Sequence, residues 1–429
     1  MSTDQIDATS APEAVQETNI QPTKMARWKK VLLAIPAGLV LLALLALILY
    51  PYVMPHHKVP EVAPRVVAPT GDPSLDGIRK GFEYLRVYQE VDGHFSRGWA
   101  DPKPGFTALV VDALARMPVD LLSEDKAMLE KAAEAIVSRQ QPNGSICTPG
   151  LGVEVYTTAV SVMALKALKD PKYDGVLAKA KDYLLQVQRG VMPGDPSSGG
   201  VGYNAGSRPD GSVTAMWVES LKEVGVDEND EAFKNAQLFF SRLQNNTETN
   251  DLPAAETALD NDGGFIYRPG ESKPPDGTNR EGKRVPKSYG LMSYAGLKSF
   301  LYMNVSKDDP KVQGAWRWVR DNYTLDENRN IGADGLYYYY MTMAKALAAY
   351  GEPVIETSDG KKHVWAQELT EKLLSLQKKD GSWVNLDSAR WMENDSVLVT
   401  AYALRALAIS REFMKNHPAP EALSAPTSK

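Results

Sequence analysis

Two kinds of apolar pattern alternate along this chain between residues 74 and 412. In the first, apolar residues mark one side of a helix. Trp365, Leu369, Leu373 and Leu376 fall at helical spacing, while Gln367, Glu368 and Lys378 lie elsewhere, which predicts an amphipathic helix with one wet face. In the second, the run is apolar almost all round, as in Val397-Leu398-Val399-Thr400-Ala401-Tyr402-Ala403-Leu404. Such a helix has to be enclosed. Tyr156 to Leu168, Tyr289 to Tyr302 and Leu336 to Tyr350 read the same way. The alternation predicts half-exposed outer helices around buried inner ones.

A short motif joins the two kinds. Gln377 precedes Asp380-Gly381-Ser382-Trp383, Gln89 precedes Asp92-Gly93-His94-Phe95, and Gln140 precedes Asn143-Gly144-Ser145-Ile146. In all three the Gln stands four residues ahead of the Gly. Weaker copies run from Gln188 to Gly202-Tyr203, from Gln244 to Gly264-Phe265, and from Tyr323 to Gly335-Leu336-Tyr337. Six copies at a spacing of about fifty residues predict stacked helix pairs sharing one core. Lys166, Lys222, Lys298, Lys345 and Arg405 occupy one equivalent position near the ends of the inner helices. A cation there complements the helix dipole by about 0.3–1 kcal/mol, so these residues mark direction. All inner helices then run the same way, with their N-termini gathered at one mouth. The fold class expected is all-α: an (α/α)6 toroid of six outer-inner pairs.

Gln377-x-x-Asp380-Gly381-x-Trp383 resembles the Gln-Trp repeat of squalene and oxidosqualene cyclases. The stretch 74–412 is similar to the prenyltransferase/squalene-cyclase repeat fold as a whole. The resemblance implies that Gln89, Gly93, Gln140, Gly144, Gln377, Gly381 and Trp383 tie neighbouring helices together. It says little about activity, because one fold hosts many functions.

Ahead of the repeats, Val31 to Tyr50 is twenty residues without a charge, enough to cross a hydrocarbon core of about 30 Å. Lys24, Arg27, Lys29 and Lys30 precede it and no Ala-x-Ala site follows, which predicts an uncleaved anchor with the toroid outside the cytoplasm. The expected organisation is a disordered cytoplasmic segment (1–30), a transmembrane anchor (31–54), a Pro-rich linker (55–73), the toroid (74–412) and a loose tail (413–429). The expected location is a cell membrane, single-pass, with the toroid periplasmic if the cell is bacterial. A net charge of −6 argues against general nucleic-acid binding. Cys147 is the only cysteine, which excludes an intrachain disulfide and a finger-type zinc site. No metal or cofactor is expected.

Two outer-to-inner connections are inflated, Arg189 to Asp210 and Asn245 to Val285. The second, with Lys287 just beyond it, carries Arg268, Lys273, Arg280, Lys283 and Arg284 against Glu271, Asp276 and Glu281. Over 268–287 that is six cations to three anions, a local charge of +3. Helix N-termini beneath it favour anions, and Tyr156, Tyr289, Tyr337 and Tyr338 fall in the first turns of inner helices. The expected ligand seat is therefore Arg268, Arg280 and Arg284 over Tyr156, Tyr289, Tyr337 and Tyr338. It would hold an isoprenoid-type lipid with an anionic head or, as a scaffold, an envelope protein. Carboxylates at short spacing, Asp260 and Asp262 or Asp395, are the candidate acids, although Asp395 is also placed to cap a helix. The family's run of adjacent acids is missing, and no nucleophile elbow, phosphate loop or His-Glu-x-x-His appears. Three readings stay open: a binding or scaffolding toroid, a terpene-cyclase-like enzyme with Asp262 or Asp395 as acid, and a glycan-processing toroid with paired acids.

Overall fold

The computed structural model describes residues 64–95, 103–253, 261–279 and 281–418. The expected anchor, Asp260, Arg280 and the end of the tail lie outside these residues. Among the described residues no helix is long and apolar enough to cross a membrane.

Among the described residues twelve α-helices follow one another in six pairs. They are α1 (Pro73–Arg86) and α2 (Lys103–Ala115), α3 (Ser123–Val137) and α4 (Glu154–Ala167), and α5 (Asp174–Gln186) and α6 (Gly211–Glu223). The second half adds α7 (Glu231–Leu243) and α8 (Gly290–Tyr302), α9 (Pro310–Asn322) and α10 (Leu336–Tyr350), and α11 (Trp365–Leu376) and α12 (Ser396–Asn416). The even-numbered helices touch in a closed circle, α2 to α4 and so on to α12, which returns to α2. The odd-numbered helices pack outside them. Among the described residues sheet is confined to two hairpins, β1 (Gly277–Thr278) with β2 (Arg284–Val285) and β3 (Ile355–Glu356) with β4 (Lys362–His363). The chain is an α/α toroid.

The Gln of each motif is a two-pronged clamp. The Gln377 amide donates to the Gly381 carbonyl of its own turn and to the Gly77 carbonyl of α1, both at 2.9 Å. Gln89 bridges Gly93 and Met128, Gln140 bridges Gly144 and Val176, Gln188 bridges Gly199 and Ala232, and Gln244 bridges Gly263 and Lys311. Each second acceptor belongs to the next outer helix. The register of two weak copies is corrected here, because the structural glycines are Gly199 and Gly263 rather than Gly202 and Gly264. Gly381 shows why glycine is required: its φ is +90°, and a Cβ would lie 2.4 Å from the Lys80 carbonyl.

Two residues after each glycine the chain turns inward to a buried side chain: Phe95, Ile146, Val201, Phe265 or Trp383. The backbone N–H of each donates to a hydroxyl on the following inner helix, Thr107, Thr158, Thr214, Ser293 or Thr400, at 2.9–3.1 Å. An N–H stranded in the core without that hydroxyl would cost about 1–3 kcal/mol. The junction between α9 and α11 lacks a Gln, and there the Tyr323 hydroxyl donates to Glu368 at 3.1 Å.

The end of the linker lies on the toroid. The Arg65 guanidinium reaches Glu83 of α1 and Glu124 and Asp125 of α3.

Candidate functional site

The bore of the toroid is closed at one end by charge. Glu219 of α6 receives Lys298 of α8 at 2.5 Å and Lys345 of α10 at 2.6 Å, all three at most 7% exposed. Asp112 of α2 meets Arg405 of α12 at 3.0 Å and Arg116 at 2.7 Å. Burial works to raise the Glu219 carboxyl, but its two lysines hold it well below the usual range. Lys298, Lys345 and Arg405 were expected only to complement the dipoles of their helices; they also point inward, because the acids they neutralise sit across the bore. Lys166 and Lys222 remain exposed.

At the other end, first turns of the inner helices and the loops leading into them enclose a cavity of about 230 Å³. Tyr156, Tyr203, Tyr267, Tyr289, Tyr338 and Tyr402 line it, with Phe106, Val153, Met216, Leu291 and Leu398 between them and Trp391 and Met392 also in its wall. Among the described residues only Ser212 and Lys273 add other polar groups. Met216, Tyr338 and Tyr402 also border the charged plug, so they form the floor. Burial raises the Tyr156, Tyr289, Tyr338 and Tyr402 phenols well above their ordinary value; they stay neutral hydroxyls.

Among the described residues Lys273 is the single charge in the lining. Its ammonium sits 3.6 Å from the centre of the Tyr267 ring, and among the described residues no carboxylate lies within ion-pairing distance. Burial, the largest influence, lowers its pKa. A partly desolvated ammonium held only by an aromatic face favours an incoming anion. Arg268 stacks on the same ring at 4.8 Å. It faces the buried Asp210 at 3.9 Å and Glu271 at 3.8 Å. Asp210 caps α6 through Oδ1, which accepts from the N–H groups of Ser212 and Val213 at 3.0 Å, and burial raises its pKa.

The structure brings Tyr156, Tyr289 and Tyr338 together as expected from their helix positions. Arg268 stands behind the wall. Tyr337 is corrected: it is turned away from the cavity and packs edge-on against Tyr340 at 5.8 Å, because its neighbour Tyr338 takes the inward direction. Arg284 is also corrected, since its side chain is 83% exposed and pairs with Asp276 on the β1–β2 hairpin. Asp262 accepts from Ser288 Oγ and the Gly264 N–H, and Asp395 caps α12. Neither lines the cavity. Tyr203, Tyr267, Lys273, Trp391 and Tyr402 were missed as lining residues. Tyr402 was readable from its place one turn into an apolar inner helix; the others sit on loops, where no period assigns a direction.

The loop before α12 is pinned by Glu393. Its carboxylate accepts the N–H groups of Tyr337 and Tyr338 at 3.0 and 2.9 Å and the Asn385 amide at 2.8 Å. It thereby caps α10, whose own N-cap is Gly335.

No protein-family profile and no curated protein matches this sequence. Solved structures share the fold at low identity. An inactive variant of an α-1,6-mannanase from Salegentibacter, in complex with α-1,6-mannotriose, aligns at 10% identity and TM-score 0.52 over 79% of this chain and 99% of that one. A glycoside hydrolase family 76 mannosidase from Bacteroides thetaiotaomicron aligns at 12% identity and TM-score 0.50 over 80% and 99%. A type II terpene cyclase from Scytonema aligns at 13% and 0.49 over 80% and 99%. The likeness to the mannanase and the mannosidase is one of fold, the α/α toroid.

Proposed function

We propose that this protein is a membrane-anchored, extracytoplasmic binding toroid whose cavity takes one end of an anionic amphiphile of isoprenoid type. The observation that carries the reading is the composition of the cavity: six tyrosines and a continuous apolar wall around one ammonium, with no carboxylate in the lining among the described residues. Such a wall favours flat or branched hydrocarbon, and Lys273 supplies the partner for the head. The cavity is smaller than the roughly 300–1,000 Å³ typical of drug-sized ligands. It therefore takes the head and first units of a chain, the remainder leaving through the mouth. Anchoring rests on the apolar run 31–54 and is a separate part of the proposal. Lipid extraction and mass spectrometry of the purified full-length protein test the ligand. A co-purifying anionic polyprenyl lipid supports the reading, and recovery of bulk phospholipid alone, in the proportions of the membrane, sinks it.

A cyclase-like reading has one specific support. Asp210, adjoining the aromatic wall, has a pKa raised by burial, as an acid that protonates an alkene requires. It replaces Asp262 and Asp395 as the candidate. Cyclised products from oligoprenyl substrates, absent with Asp210→Asn, would favour this reading.

A further inference from the structure

Trp391 and Met392 stand out from every other apolar side chain in the described structure. Both hold left-handed backbone, with φ of 54° and 65°. Two consecutive left-handed positions are the preserve of Asn-Gly pairs, and each costs a residue with a Cβ about 1–2 kcal/mol. Both side chains are 39% exposed, and both line the mouth of the cavity. This apolar pair is left part-exposed on strained backbone at the cavity mouth.

Its orientation is nonetheless built. The Arg390 guanidinium lies over the Trp391 ring at 4.7 Å and is tied to Asp334 at 2.7 Å. The ring edge rests on Gly335, where a Cβ would come within 2.7 Å. Glu393, the next residue after the pair, is locked into the N-terminus of α10. The turn therefore holds the indole over the opening with little freedom to swing away, and places the Met392 thioether beside it in the cavity wall. Binding to a preorganised apolar cap avoids the cost of ordering it.

We propose that the Trp391–Met392 turn is the cap of the binding site, covering the first apolar units of the ligand and selecting amphiphiles over bare anions. This rests on the reading of the cavity given above. The test uses full-length protein in detergent with farnesyl phosphate and inorganic phosphate as probes, followed by titration calorimetry and thermal melting. The double variant Trp391→Asn with Met392→Gly suits the left-handed backbone and removes both caps. It should weaken farnesyl phosphate at least ten-fold, leave weak inorganic phosphate binding unchanged, and raise the melting temperature. Trp391→Phe, which keeps an aromatic face, should recover most of the affinity. A wild-type protein that does not bind farnesyl phosphate overturns the ligand reading itself. Wild-type affinity in the double variant overturns the cap alone. A fall in melting temperature alongside lost affinity shows the turn to be structural and equally overturns it.

Discussion

Gln377 donates its side-chain amide to the backbone carbonyl of Gly77, 300 residues earlier in the chain. The same clamp that joins four other outer helices to their successors here joins the last to the first. Its removal should therefore be felt by the whole ring. Gln377→Ala strands a buried carbonyl and should cost about 1–3 kcal/mol, read as a lower denaturation midpoint with an unchanged slope. Gly381→Ala should cost more, since it adds a clash with the Lys80 carbonyl to left-handed strain.

The charged plug predicts acid sensitivity. The Glu219 carboxyl is held below its unfolded value by Lys298 and Lys345. Its contribution is therefore complete above the ordinary glutamate range and is lost as pH falls through the lowered pKa. Glu219→Gln leaves two lysines buried without their acid and should cost about 3–5 kcal/mol at neutral pH. The gap between the melting temperatures of the two proteins should narrow steadily as pH falls below the ordinary glutamate range.

Asp210 predicts the opposite sign. Burial raises its pKa, so ionisation destabilises the fold as pH rises above the unfolded aspartate value. Asp210→Asn keeps a capping oxygen and should match or exceed wild-type stability at pH 7, an advantage that disappears near pH 4. Thermal melts across that range check it.

Lys273 and Arg284 separate the cavity from the surface. Lys273→Met should weaken anionic amphiphiles by about 1.5–3 kcal/mol, the worth of a hydrogen bond to a charged group, and flatten the salt dependence. Arg284→Glu, on an exposed hairpin, should change neither. Calorimetry at two ionic strengths distinguishes them.

The anchor can be tested apart from the toroid. A C-terminal fusion to an export-dependent phosphatase should be active, because the cations before Val31 orient the segment. Activity from a cytoplasmic reporter instead reverses the topology.

The ring was legible because its signals are periodic. A helix enclosed on all sides has to be apolar all round, and the Gln-to-Gly spacing recurs wherever the turn is tight. Register failed at Gln188 and Gln244, where long insertions separate clamp from glycine and no fixed spacing survives. Tyr337 and Tyr338 show the limit at the site. Adjacent helical residues point about 100° apart, so only one could enter the bore, and sequence could not choose. Trp391 and Met392 were invisible for a related reason: nothing in the letters says that a Trp-Met pair will take the backbone of an Asn-Gly turn.

Closure of the ring has a consequence for biosynthesis. Arg411 near the end of α12 pairs with Asp72 at the start of α1, 2.7 Å apart, so the first and last pieces of the domain are neighbours. A nascent chain lacking α11 and α12 has an open seam, with the apolar flanks of α2 and α10 facing water until the final pair emerges from the ribosome. The fold then has no privileged beginning. Joining residue 418 to residue 64 by a short linker and opening the chain between any outer pair member and its predecessor should yield the same closed circle, assembled in a different order.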